Sequence, residues 1–308
     1  MSQRIVTLTL NPAVDVASTA CGVQVGHKNR TFNEHVDPGG GGVNVARVVR
    51  VLGGETLALV LAGGVTGAYL GELLNEADVP HRRLEIAGRT RICTTVHDQE
   101  TNAEYRFVPD GPDVTAAEWG GVLDVLEQID AAWIVASGSL PPGVPDDFYA
   151  RAAHIAARRG QCFVLDSSGP PLKAALRSGI TLLKPSLREL QHLLGCVLTD
   201  ARAQEQEAMS VVRNGDADML ALTLGADGAL LATKTGMHRM AALPTTVRST
   251  VGAGDAFLAA MVLALMRGKS PHDALAWGIA AGTAAVQGVG TARLDRATVE
   301  ALVPPDAR

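Results

Sequence analysis

The feature that most constrains this chain is an alternation of two periodicities. From Trp119 onward, short apolar runs alternate with longer amphipathic ones. Helical spacing over Glu118–Gln128 leads to a strand at Ala132–Ser137, and helix Asp146–Arg159 leads to strand Cys162–Leu165. Helix Leu172–Ser178 precedes strand Ile180–Leu183. A helix after residue 189 and another over 201–213 precede strand Met219–Leu224. Strands this far apart cannot close as hairpins and pair in parallel through crossovers. Those crossovers are right-handed and place helices on both faces of the sheet. Ile5–Leu10 and Thr56–Ala62 join the set, being continuously apolar as doubly covered strands are. Gly67–Ala77 reads as a helix with Leu70, Leu73 and Leu74 inward. The expected class is α/β with a mostly parallel central sheet.

Two stretches break the rhythm. Residues 16–36 are short, mixed and polar, and residues 84–108 alternate about a turn at 98–103 like exposed antiparallel strands. Both read as thin β structure off the main core. Lys28 and Arg30, two apart, would share one face of a strand. With Arg89, Arg91 and Arg106 they form a basic cluster in a chain of net charge −5. These are either solvated surface charges or an anion clamp, for which arginine's fork is suited.

Composition excludes several classes. A net negative chain does not fit nucleic acid or an anionic membrane. The four cysteines, Cys21, Cys93, Cys162 and Cys196, are scattered without C-x-x-C spacing. They read as reduced thiols in a cytoplasmic protein. The N-terminus enters a strand directly without a signal-peptide form, and the longest apolar run is too short to span a bilayer.

Two glycine turns carry the chemistry. Ser249–Phe257 reads S-T-V-G-A-G-D-A-F. It is the end of an extended segment, a bare turn, then an apolar run from Ala256 to Met266 that suits a buried helix. A turn into a helix N-terminus leaves backbone N–H groups facing an anion. Asp255 sits in that cradle either as a cap or as a base toward whatever attacks the bound phosphate. Pro38–Arg47 reads P-G-G-G-G-V-N-V-A-R and runs into a helix that stops at Gly53-Gly54. Backbone there approaches a ligand closely, with Asn44 as a helix cap or as a ligand to a sugar hydroxyl. Asp15 and Asp166 stand at strand ends, the edge where ligands sit in open α/β sheets. Gly268-Lys269-Ser270 imitates a P-loop ending, but Leu263 stands where its first glycine belongs. No G-x-G-x-x-G follows the first strand, and Ser139 lacks a G-x-S-x-G elbow.

Together these motifs resemble the PfkB-type carbohydrate kinases of the ribokinase-like fold. The likeness includes T-L-N-P-A-V-D at 9–15, S-G-S-L-P-P-G-V at 137–144, L-D-S-S-G at 165–169, K-P-S-L-R-E-L at 184–190 and T-L-G-A-D-G-A at 223–229. Within the family, G-G-G-G-V-N resembles the minor-isozyme type of 6-phosphofructokinase. The resemblance implies one three-layer α/β/α kinase domain over 1–308, with β-lid segments at about 16–36 and 88–108. It implies ATP-dependent phosphorylation of fructose 6-phosphate at C1. Kinases for tagatose 6-phosphate or fructose 1-phosphate, and a non-catalytic sensor on the same fold, are the alternatives.

The resemblance also assigns roles. Asp255 would be the general base, with Gly252, Ala253 and Gly254 forming the anion hole. Asp15, Gly40, Gly41 and Asn44 would hold sugar hydroxyls, and Lys28, Arg91, Arg106 and Ser139 the sugar phosphate. Lys184, Ser186, Arg188, Thr223, Gly225, Gly228, Val251 and Thr283 would line the ATP site. Glu189 would hold Mg²⁺ through water. A monovalent cation such as K⁺ would lie among backbone carbonyls near Ser249, Val251, Ala285, Gly288 and Gly290. The lid would pair two subunits into a homodimer. The chain departs from the family's N-x-x-E at Ser186-Leu187-Arg188-Glu189, where a hydroxyl replaces an amide and shortens the reach toward metal-bound water.

Overall fold

The computed structural model describes residues 3–288 and 294–308. Its central sheet has nine strands: β1 (Arg4–Thr9), β4 (Glu55–Ala62), β5 (His81–Glu85), β8 (Trp133–Ser137), β9 (Cys162–Asp166), β10 (Leu182–Leu183), β11 (Met219–Thr223), β12 (Ala229–Thr233) and β13 (Gly236–Met240). Their order is β13-β12-β11-β10-β9-β8-β1-β4-β5. Every pair from β11 to β5 is parallel, and the β12–β13 hairpin extends one edge antiparallel. This is the mostly parallel sheet that the alternation predicts.

Side-chain alternation sorts the strands onto two cores. Val6, Leu8, Ile134, Phe163, Leu183 and Leu222 face α3 (Ala116–Leu126), α4 (Phe148–Arg158), α5 (Gly169–Ala175), α6 (Leu187–Leu194) and α7 (Ala201–Arg213). Ile5, Val135, Val164, Leu182, Ala221 and Leu231 face α1 (Gly41–Val51), α8 (Ala253–Met266), α9 (Pro271–Gln287) and α10 (Arg296–Leu302). Helix α8 is buried without a break from Ala256 to Ala264, which is why its sequence shows no polar face. Helix α2 (Gly64–Glu76) packs Leu70, Leu73 and Leu74 against Ala58, Val60 and Ala62 of β4.

A second sheet holds β2 (Ala13–Ala20), β3 (Thr31–Gly39), β6 (Arg91–Asp98) and β7 (Ala103–Phe107) in the order β3-β2-β6-β7. The two thin β stretches of the sequence thus meet in one lid. They join through a parallel pairing of β2 with β6, between two antiparallel hairpins. The chain makes this lid in two excursions, one between β1 and α1 and one between β5 and α3.

Three expectations need correction. Residues 84–86 do not belong to the hairpin, because His81–Glu85 adds a parallel edge strand beside β4. Lys28 and Arg30 share no strand, since they lie on the exposed connection before β3 begins at Thr31. Helix α5 starts at Gly169 rather than Leu172, with prolines in its first turn, where their missing N–H groups have no helical acceptor to lose. It ends at Ala175, and Arg177 turns left-handed at φ 64°.

Candidate active site

Gly252 caps α8 in the left-handed region at φ 77°. That turn aims the first amides of α8, on Ala253, Gly254 and Asp255, out of the helix, where they have no helical acceptors. Asp255 occupies the third position of the helix. Its Oδ2 accepts a hydrogen bond of 2.9 Å from Nδ2 of Asn44, which stands in the first turn of α1. Burial pushes the Asp255 carboxyl up to about 7. Repulsion from Asp166 adds to the rise, while Asn44 and Lys184 oppose it. A carboxylate with that affinity holds and releases a proton near neutrality, as a general base requires.

Lys184 is buried and its Nζ lies 3.1 Å from Oδ1 of Asp166. Burial works against the ammonium charge, but Asp166, Glu189 and Asp255 outweigh it and hold the lysine charged. Burial pushes the Asp166 carboxyl up, with Lys184 opposing. The sequence marks Asp166 as a strand-end acid without giving it a role; the structure pairs it with Lys184, close enough to Asp255 to raise its pKa.

The four-glycine turn fits these groups closely. A Cβ on Gly39 would overlap the Asp15 carboxylate, and one on Gly41 would overlap the Ser137 hydroxyl. Gly40 turns at φ 115° against Thr9 and Pro12. Asp15 lies on β2, directly across from Asp37 on β3 and Cys93 on β6. Burial raises its pKa, and Arg91 is the main opposing charge, with a smaller contribution from Arg106.

Arg91 and Ser139 line one cavity of about 570 Å³ together with Asp110, Asp146 and Ser168. The Arg91 guanidinium donates to the carbonyls of Asn11 at 2.7 Å and Pro109 at 2.8 Å. Arg106 stands exposed on β7, 4.0 Å from Glu104. Lys28 lies on the exposed lid connection, outside this cavity's lining.

A second cavity, of about 590 Å³, is lined by Thr223, Gly225, Gly228, Ala253, Gly254 and Thr283. These are six of the residues expected around ATP and its phosphates; Val251 and Gly252 lie in the turn beside it. Its apolar walls are Leu243, Pro244, Val247, Phe257, Ile279 and Val286. The sequence does not reveal the first three, because 241–249 is an irregular segment without periodicity. Gly228 packs so tightly on 240–242 that a Cβ would strike their backbone.

Ser186 is engaged at the start of α6. It is the N-cap of α6, and its Oγ accepts from the Glu189 amide at 3.3 Å. Glu189 Oε2 in turn accepts from the Ser186 amide at 2.8 Å, completing a capping box. Ser186 also bridges to Thr223, and Arg188 is exposed. The amides of Arg248 and Ser249 both bond the Val286 carbonyl, at 2.8 and 3.3 Å, which brings Ser249 to the C-terminal end of α9. Gly290 lies outside the described residues.

The model of the pfkB family carbohydrate kinases matches residues 9–297. The chain is 45% identical over 299 residues to an ATP-dependent 6-phosphofructokinase isozyme 2 of Mycobacterium tuberculosis, covering 96% of this chain and 88% of that protein. It is 37% identical over 290 residues to the Escherichia coli protein of the same description, covering 94% of each. Phosphofructokinase-2 from Escherichia coli, solved in complex with potassium, matches with a TM-score of 0.93 at 35% identity, over 97% of this chain and 98% of that one. A ribokinase from Arabidopsis thaliana shares the fold at 20% identity and a TM-score of 0.79, over 98% and 99% of the two chains. The fold is therefore ribokinase-like, and the chain belongs to the pfkB family of carbohydrate kinases.

Proposed function

We propose that this kinase is an ATP-dependent 6-phosphofructokinase, which transfers the γ-phosphoryl group of ATP to the C1 hydroxyl of fructose 6-phosphate. The observation that carries this reading is Asp255. Its near-neutral carboxyl sits in the first turn of α8, bonded to the Asn44 side chain and next in sequence to Gly254, which lines the second cavity. The relatives' names agree, and the Escherichia coli phosphofructokinase-2 has been solved in complex with fructose-6-phosphate.

Asp255 would take the proton of the attacking hydroxyl. The amides of Ala253, Gly254 and Asp255 would stabilise charge on the transferred group. Asp15 and Asn44 would orient the sugar hydroxyls while Gly40 and Gly41 let it approach the backbone. Arg91, Arg106 and Ser139 would bind its phosphate, with Lys28 on the lid. The apolar walls at 243–247 and along α9 suit a base, and Lys184, Thr223, Gly225, Gly228 and Thr283 border the remainder of the nucleotide. Lid closure would exclude water from the transfer.

Mg²⁺ fits this site through water. Among the described residues no group of three or more His, Cys, Asp or Glu could hold a metal ion. The capping box engages Glu189 Oε2 and leaves Oε1 for a metal-bound water. The metal would neutralise phosphate charge. K⁺ would be held by backbone carbonyls near Ser249, Val251, Ala285 and Gly288. A homodimer through the lid is supported by Ile92, Tyr105 and Phe107, which are 46%, 37% and 61% exposed on adjoining lid strands. Phe107→Asp should then dissociate it, as read by light scattering. The Escherichia coli phosphofructokinase-2 is described in a tetrameric inhibited form, so the same measurement sets the assembly size. A cytoplasmic location agrees with the four free cysteines.

A coupled ADP-release assay over fructose 6-phosphate, fructose 1-phosphate, tagatose 6-phosphate and fructose tests the reading. The highest kcat/KM is expected with fructose 6-phosphate. ADP release that no sugar stimulates would leave a sensor instead.

A further inference from the structure

The loop after β1 holds Asn11, which is 4% exposed. Its side-chain Nδ2 lies 2.7 Å from the Asp110 carbonyl oxygen and 3.3 Å from Ser139 Oγ. A carbonyl oxygen only accepts, so the atom facing it is the amide nitrogen and not Oδ1. Both hydrogens of that nitrogen are therefore committed, one to Asp110 and one to Ser139. Ser139 Oγ accepts in this bond, so its own O–H points elsewhere. Ser139 and Arg91 line the same cavity. The backbone oxygen of the same Asn11 receives Arg91 Nη2 at 2.7 Å. One residue thus holds both anion-binding groups, the guanidinium by its carbonyl and the hydroxyl by its amide. Asn11 Oδ1 has no partner and packs where a Cβ on Gly111 would strike it, so the amide cannot be exchanged for a bulkier group without moving the 109–111 segment.

We infer that Asn11 is a positioning residue for the sugar phosphate, one that turns the Ser139 hydroxyl into a hydrogen-bond donor toward a phosphoryl oxygen. The inference rests on the reading of the cavity as the sugar-phosphate site. An acceptor in place of the amide would reverse the hydroxyl and direct its proton inward. Asn11→Asp should therefore raise KM for fructose 6-phosphate about tenfold or more, the scale of one hydrogen bond to a charged group. Asn11→Ala should raise it less.

The test combines Asn11→Asp and Asn11→Ala with Ser139→Ala, measuring KM for fructose 6-phosphate and calorimetric ATP affinity. The expected result is wild-type ATP affinity in all variants and a raised sugar KM. Asn11→Ala should add less than twofold once Ser139 is alanine. If Asn11→Asp also loses ATP binding through misfolding, Asn11→Ser, which adds no charge, carries the same cycle. A wild-type KM in ATP-competent variants, or full additivity with Ser139→Ala, overturns the inference. A wild-type enzyme that ignores fructose 6-phosphate instead overturns the reading on which it rests.

Discussion

Asn44 Nδ2 donates to Asp255 Oδ2 across 2.9 Å, joining the first turn of α1 to the first turn of α8 over a sequence separation of 211 residues. The donor favours the ionised carboxylate and so pulls down an affinity that burial raises to about 7. Removing it in Asn44→Ala must move that affinity upward. The acid limb of kcat/KM, which reports the free enzyme, should shift to higher pH. Activity should fall more at pH 7 than at pH 9. An unshifted limb would separate Asn44 from control of the base.

Asp255→Asn keeps the size and the Asn44 neighbour but removes the proton acceptor. Turnover should drop by about 10²- to 10⁴-fold, the usual contribution of a positioned base. Calorimetric ATP affinity should persist, because the α8 amides and the apolar walls are untouched. Residual turnover within tenfold of wild type would remove Asp255 from proton transfer.

Lys184→Met leaves the mostly buried Asp166 carboxyl without its ammonium partner. Breaking a buried pair on one side costs about 3–5 kcal/mol. Urea unfolding should show a loss of that order, and Asp166→Asn in the same protein should recover much of it. Equal instability of the single and double variants would contradict a coupled pair.

Asp98 fastens the two lid hairpins together. It is buried, and its carboxylate accepts from the amides of Val23, Gly22 and Glu100 and from the Thr101 hydroxyl. These bonds, Val23 foremost, hold its pKa down to about 2, against about 3.9 for a free aspartate. A depressed pKa gives stability that is complete above the unfolded value and is lost as pH falls through the folded one. Hydrogen exchange at Gly22 and Val23 should therefore quicken between pH 4 and 2, and in Asp98→Ala it should be fast at every pH. Exchange in β8 should not follow.

The frame was legible in the sequence because its signals are local and repeated. Strand-end residues such as Asp166 and the glycine turn at Gly252 sit where alternation and turn chemistry put them. Pairings between distant segments left no such trace. Nothing in H-R-R-L-E shows that residues 81–85 would run parallel to β4 rather than open the hairpin. Lys28 and Arg30 have strand spacing, but the connection they occupy is too exposed to form one. In the site, Asp255, Asn44 and the glycine turns could be found by motif. Asp166's pairing with Lys184 and the apolar wall at 243–247 depend on tertiary contact and could not. The capping box of Ser186 with Glu189 came only from the structure.

The two excursions that build the lid have a consequence for how such a protein can change. Each leaves and rejoins the chain inside a single strand-to-helix connection, β1 to α1 and β5 to α3. Deleting both on paper leaves every crossover of the central sheet intact. The lid is therefore a detachable module in the topological sense, carrying Asp15, Arg91 and Arg106, while Asp255, Asn44 and the cavity lined by Thr223, Gly254 and Thr283 stay with the frame. Grafting both excursions together from a relative with another sugar preference would exchange Asp15, Arg91 and Arg106 as a set and leave Asn44, Ser139 and Asp255 in place. Grafting one alone would break the β2–β6 seam.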